Sequence, residues 1–136
     1  MVGEVYTEII LDLYNNPMNK GFIDDADLDI EGGNPTCGDQ IRIMLKVNEG
    51  KIEDVKFQGH GCAISVASES LLTEMVKGKT IDEANNITKE ELFEELGNII
   101  ETRIKCALLG LTVLKKGLEE FEKNNRKKTV VRNITI

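Results

Sequence analysis

Tryptophan is absent, aromatic residues make up only 4% of the chain, and there are one histidine and two prolines. With so few rings, the core has to be built from Ile, Leu, Val and Met. No apolar run approaches the ~20 residues that a bilayer crossing needs, so no membrane span is expected. The N-terminus, MVGEVYTEIILDLYNNP, carries acids in an amphipathic pattern and lacks the basic start and apolar stretch of a signal peptide. The expected location is the cytoplasm. A basic excess is missing as well: 17 Lys and Arg against 24 Asp and Glu give a net charge of −7. Such a chain is a poor partner for nucleic acid, whose phosphates require a basic face. Cysteines number three. An odd count in a reducing compartment argues against a disulfide framework and favours metal binding or thiol chemistry.

What is present is ordinary for a globular protein: 136 residues, 40% of them hydrophobic and 30% charged, enough for one domain spanning 1–136 with one core. Val5, Ile9, Ile10 and Leu13 recur at helical spacing, predicting a helix over 2–14 that Asn15, Asn16 and Pro17 stop. Leu28 and Ile30 alternate with Asp27, Asp29 and Glu31 as in a short, half-exposed strand. After the turn residues Gly32, Gly33, Asn34 and Pro35 comes QIRIMLKV, with Ile41, Ile43, Leu45 and Val47 facing inward. NEGK closes a hairpin onto a third strand through Val55 and Phe57, giving a small antiparallel three-stranded sheet with one wet face. From Ala63 a helical stripe of Ile64, Ala67, Leu71 and Met75 runs to about Lys77, where Gly78 ends it. One or two short acidic helices occupy 81–97, Thr88 and Glu91 forming a capping-box pattern. The longest helix is predicted at about 101–124. The fold class is therefore α+β, the sheet packed against several helices. Residues 125–136 read as a flexible tail that starts basic. Its β-branched stretch, 129–136, is assigned to no element.

The three thiols fall at joints of this map. Cys37 lies in a loop between two strands, Cys62 where a strand gives way to a helix, and Cys106 in the first turns of the last long helix. Two of them sit near helix N-termini, whose field favours an anionic sulfur. Gly38, Gly59 and Gly61 allow tight turning and close approach, and Asp39 follows Cys37 at two residues. No CxxC pair is present. The plain alternative is three small buried hydrophobes. The chemical alternatives are a nucleophile, or a set of three thiolates and one carboxylate suited to zinc or to an iron–sulfur cluster.

The stretches NPTCGD, GHGCAISVASES, VKGKT and RIKCAL, in that order, resemble the U-type iron–sulfur cluster assembly proteins: IscU, the N-terminal domain of NifU, and SufU. The resemblance runs from about Tyr6 to Leu118. It implies that Cys37, Asp39, Cys62 and Cys106 form one metal or cluster site at a tip of the domain. It further implies a cysteine desulfurase as sulfur donor, Fe2+ as substrate, a transient [2Fe–2S] cluster handed to recipient apo-proteins such as a ferredoxin, and Zn2+ in the same place in purified members. The chain departs from IscU at Lys105, where that group has histidine, and at IIETRIK, where it has a Leu-Pro-Pro-Val-Lys chaperone handle. It shares Arg-x-Lys-Cys with SufU but lacks the SufU insertion before the third cysteine.

Two mechanisms are consistent with this hybrid. One is a scaffold, in which a carboxylate, the harder and weaker partner for a cluster, leaves the cluster labile. The other is a zinc-dependent sulfur acceptor, in which Cys37 takes persulfide sulfur by thiol exchange and no cluster is held. A structural zinc domain is the third and plainest reading. Cys37, on its glycine-flanked loop, is the expected sulfur acceptor, with Cys106 next. Lys105 is expected to pair with Asp39 in the metal-free site. His60 could share a face with Cys62 but reads as a surface residue. Ser65, Ser68 and Ser70 read as packing or capping residues. The acidic surface suits docking on other proteins, and the chain is expected to be a monomer or weak homo-oligomer.

Overall fold

The structure, a computed structural model, describes residues 8–36, 38–97 and 103–136. Helix α1 (Glu8–Asn15) is followed by a long loop and then by strands β1 (Leu28–Asn34), β2 (Asp39–Asn48) and β3 (Lys51–His60). Helices α2 (Ala63–Val76), α3 (Ile81–Asn85), α4 (Lys89–Leu96) and α5 (Ile104–Lys123) come next, and the chain ends in β4 (Thr129–Thr135). The expected N-terminal helix and last long helix both start in residues outside the described ones; their described parts match. The capping box at Thr88 is present, and Thr80 forms a second one with Glu83. Among the described residues no helix is long and apolar enough to cross a membrane.

Two expectations are corrected. The sheet has four strands in the order β3-β2-β1-β4, and it is mixed, because β4 pairs parallel with β1. Most of the stretch read as a flexible tail, Thr129–Thr135, is therefore a strand. A β-branched segment returning along α5 finds the open edge of β1 and pairs there, in the direction that a crossover through α5 imposes. On the outer face Asp29 of β1 lies between two guanidinium groups. Arg42 of β2 reaches it at 2.7 and 2.9 Å, and Arg132 of β4 at 3.1 Å to each oxygen. The bond from Arg42, helped by Arg132, holds this carboxyl below the usual carboxylate range despite its burial.

The second correction concerns α2. Its expected single stripe gives way to burial nearly all round: Ile64, Ser65, Val66, Ala67, Ser68, Glu69, Ser70, Leu72, Thr73 and Val76 are all buried, whereas Leu71 is partly covered. The helix is enclosed because α1, β3, α4 and α5 all pack on it. Its serines serve that packing, as expected. Ser68 donates to the Ala107 carbonyl of α5 at 2.7 Å, and Ser70 accepts the Met18 amide at 2.7 Å, pinning the loop after α1. Beneath α2 and α5 the sheet presents Leu28, Ile30, Ile41, Ile43, Leu45 and Phe57, each at most 1% exposed. Each such side chain contributes roughly 1.5–3 kcal/mol on burial.

Gly32 marks a tight approach among β1, β4 and α5. A Cβ there would lie 2.7 Å from the Ile134 carbonyl oxygen and 2.7 Å from Val113 Cγ2. Gly32→Ala is expected to lower stability by about 1–3 kcal/mol, the usual range for overpacking, read as a lower urea midpoint at unchanged m-value. A midpoint at or above wild type would contradict this docking of β4.

Candidate metal centre

Asp39 is the first residue of β2, paired with Asn34 across β1, and only 2% of it is exposed. The turn leading to it is shaped by its sequence. Asn34 accepts the Thr36 amide on its side chain (3.1 Å) and the Gly38 amide on its carbonyl (2.9 Å). Gly38 has a φ of +73°, in the region that glycine adopts without strain. Cys37, the expected sulfur acceptor and fourth ligand, lies outside the described residues.

The last strand of the hairpin brings Cys62 back to this carboxylate. Gln40 pairs with His60, so β3 ends beside the start of β2. Gly61 then lets the chain pass: a Cβ on it would stand 2.4 Å from Asp39 Oδ1. The Cys62 amide donates to Oδ1 at 3.2 Å, and its Sγ lies 4.0 Å from Oδ2. Cys62 is the N-cap of α2, and no side-chain cap bond occupies it. Cys106 arrives from the first turn of α5, fully buried. The Ser68–Ala107 hydrogen bond fixes the two helices against each other just behind the thiols.

One oxygen of Asp39 and the sulfurs of Cys62 and Cys106 all lie within 4.8 Å of one another. Bonds of ~2.3 Å from a metal to sulfur and ~2 Å to oxygen span such separations with small side-chain rotations. The donor set suits zinc or iron: soft sulfurs, one hard oxygen, two helix N-termini whose dipoles favour anionic ligand atoms. A cavity of about 200 Å³ opens beside Asp39, lined by Asn34, Pro35, Gly38, Asn133 and Thr135 among others.

Three of the four residues singled out from sequence thus meet. Lys105 does not behave as expected: it is exposed and makes no ion pair with Asp39 among the described residues. As the second residue of α5 it points off the face that carries Cys106. His60 is exposed, in keeping with its reading as a surface residue. The residue that sequence reading missed is Glu69, which is 1% exposed in the middle of α2, with one oxygen that accepts no hydrogen bond. Burial above all, and Asp39 in addition, push its carboxyl well above the usual range, against the Ser65 hydrogen bond and Lys20, which lower it. A signal was available: Ser65, Glu69, Leu72 and Val76 recur at helical spacing, which places Glu69 on a buried face.

Comparison with known proteins agrees with this geometry. The family described as NifU-like N terminal domain matches residues 5–128. The chain is 41% identical over 123 residues to an iron-sulfur cluster assembly scaffold protein, IscU 1, of Archaeoglobus fulgidus, covering 90% of this chain and 80% of that one. It is 37% identical over 139 residues to the zinc-dependent sulfurtransferase SufU of Bacillus subtilis, covering 89% of this chain and 94% of the relative. A crystal structure of a putative iron-sulfur cluster assembly scaffold protein for the SUF system, from Fervidobacterium islandicum AW-1, superposes with a TM-score of 0.76 at 31% identity, covering 87% of this chain and 99% of that one. The chain therefore belongs to the NifU-like N-terminal domain family.

Proposed function

We propose that this protein is an iron–sulfur cluster assembly scaffold. Its substrates are ferrous iron and the persulfide sulfur of a cysteine desulfurase, and its cargo is a labile [2Fe–2S] cluster passed to apo-proteins such as a ferredoxin. The observation that carries the reading is the meeting of Asp39, Cys62 and Cys106 at the start of two packed helices. Cys37, next to Gly38 on the turn before Asp39, completes the ligand set and takes the sulfur. Its thiolate attacks the outer sulfur of the donor persulfide, a new S–S bond forms as the old one breaks, and the donor cysteine leaves as thiolate. Asp39 is the weak point of the set by design of its chemistry, since an oxygen donor releases a cluster more readily than a fourth thiolate would. Scaffold naming among relatives supports the reading.

A second reading has its own support. The relative named a zinc-dependent sulfurtransferase is 37% identical, and Lys105, exposed beside Cys106, matches that style of sequence. In this reading zinc is held by the same residues and the protein relays sulfur without storing a cluster.

Anaerobic reconstitution with ferrous iron, cysteine and a cysteine desulfurase, followed by visible absorption and transfer to an apo-ferredoxin, separates the two. The expected result is a [2Fe–2S] spectrum lost in Cys37→Ser, Cys62→Ser and Cys106→Ser, with slower release from Asp39→Ala. Bound zinc, no cluster and a persulfide on Cys37 would establish the relay instead. A further variant tests the geometry itself. Gly61→Ala drives a methyl into the Asp39 carboxylate and is expected to weaken Zn2+ binding about 10- to 100-fold, as loss of a ligand's support typically does. Competition against a chromophoric chelator measures it, and unchanged affinity would mean that Asp39 is not held in place by this contact.

A further inference from the structure

Glu69 is the only buried side chain among the described residues that leaves a polar atom without a hydrogen-bond partner. Its surroundings are built to admit it. Oε2 accepts the Ser65 hydroxyl at 3.0 Å, while Oε1 has no donor. A Cβ at Gly59 of β3 would stand 3.3 Å from Oε1, and a Cβ at Gly110 of α5 would stand 3.2 Å from Cγ, close to Leu72 and Ile41. The carboxyl therefore fills a space that two glycines leave open, wedged where α2, β3 and α5 converge. Those elements deliver the ligands: β3 leads into Cys62, α2 starts at it, and Gly110 lies one turn beyond Cys106.

We propose that Glu69 is a positioning residue: while it carries a proton it lets α2 close on β3 and α5, bringing Cys62 and Cys106 together, and its ionisation loosens that closure and weakens cation binding between them. The inference rests on the reading of Asp39, Cys62 and Cys106 as a metal or cluster site.

The physical reason is solvation. Neutral, the side chain is tolerated between two glycines with one hydrogen bond. Ionised, it has an oxygen with neither donor nor water, which is costly in a packed interior. Relief requires α2 to move off Gly59 and Gly110, which draws the start of α2 away from the start of α5. The charged groups that act on it pull in opposite directions. From β2, Asp39 opposes ionisation. Lys20, in the loop before β1, favours it but is itself exposed. The same elements carry further titratable groups: His60 of β3, Glu74 of α2 and Lys105 of α5 are exposed, Lys56 of β3 and Lys115 of α5 are partly so, and Cys62 and Cys106 head α2 and α5. Because the folded protein holds this proton to a higher pH than the unfolded chain does, the stabilisation is complete below the ordinary glutamate range. It is lost as pH rises through the folded value. A cation that binds only the closed arrangement follows the same profile.

Co2+ titrations of the whole protein, read by thiolate-to-cobalt absorption from mildly acidic to alkaline pH, test this against Glu69→Gln, which is neutral throughout. The two affinities are expected to agree at the acid end. Above the ionisation the variant binds more tightly, by up to about tenfold per pH unit. The urea midpoint of the metal-free wild type is expected to fall relative to Glu69→Gln over the same range. A pH-independent ratio, or parallel urea midpoints, would overturn the proposal. Ser65→Ala serves as the second variant should Glu69→Gln not fold. Removing the bond that favours the carboxylate extends the decline to higher pH before it levels off, and an unmoved upper end of the decline contradicts the proposal. If wild type binds no Co2+ at any pH, the metal-site reading fails, and the urea comparison still decides the role of Glu69.

Discussion

Asp39 accepts the backbone amide of Cys62 from a position that water scarcely reaches. This contact ties the first residue of β2 to the first turn of α2, two points far apart along the chain. It is possible only because Gly61 presents no side chain to the carboxylate. A donor buried here without its acceptor would be costly, so the end of the sheet and the head of the helix are bound to arrive together. The remaining features of the site build on this fixed corner. The Cys62 sulfur lies near the second carboxylate oxygen, and α5 brings Cys106 alongside.

The corner is held in place by an unusually enclosed helix. α2 packs against α1, β3, α4 and α5, and small hydroxyl side chains let it do so at close range. Ser68 bonds to the backbone of α5, and Ser70 takes the amide of Met18. Between Ile64 and Ser70 a helix surrounded in this way has no solvent face for a charged residue. Glu69 nevertheless sits in its middle, accommodated by Gly59 and Gly110. The same packing that aligns the two cysteines therefore has to keep a carboxyl group dry, which links the order of the site to the state of a residue outside it.

The chemistry of the site follows from its mixed donors. Two sulfurs and an oxygen converge at helix N-termini on a protein whose overall charge is −7. Such a set attracts cations that favour thiolate, and its oxygen member is the one that lets go most readily. Lys105 stays apart from these three residues and in solvent. The surface elsewhere is acidic, including Glu90, Glu94 and Glu95 of α4.

Much of this was legible in the residues themselves. Alternation defined β1, β2 and β3; Thr88 and Glu91 announced α4; and the glycine-rich settings of Asp39 and Cys62 pointed to where they meet, because turns, caps and periodicity are local properties. The parts that were not legible all depend on what lies across space. Residues 129–135 look like a loose tail until β1 offers an open edge, and only then does a short β-branched run become a parallel strand with Arg132 on Asp29. Met44, on the expected wet face of β2, is fully buried, which alternation alone does not foretell. Lys105 seemed a partner for Asp39 by adjacency, but helix rotation turns it outward. The sequence by itself determined which atoms were available to hold a metal and which elements would carry them. Tertiary structure alone decided that Asp39, Cys62 and Cys106 meet, and that Glu69 is shut in beside them. Distance between residues remote in sequence, and loss of water around them, exist only once the helices have packed on the sheet.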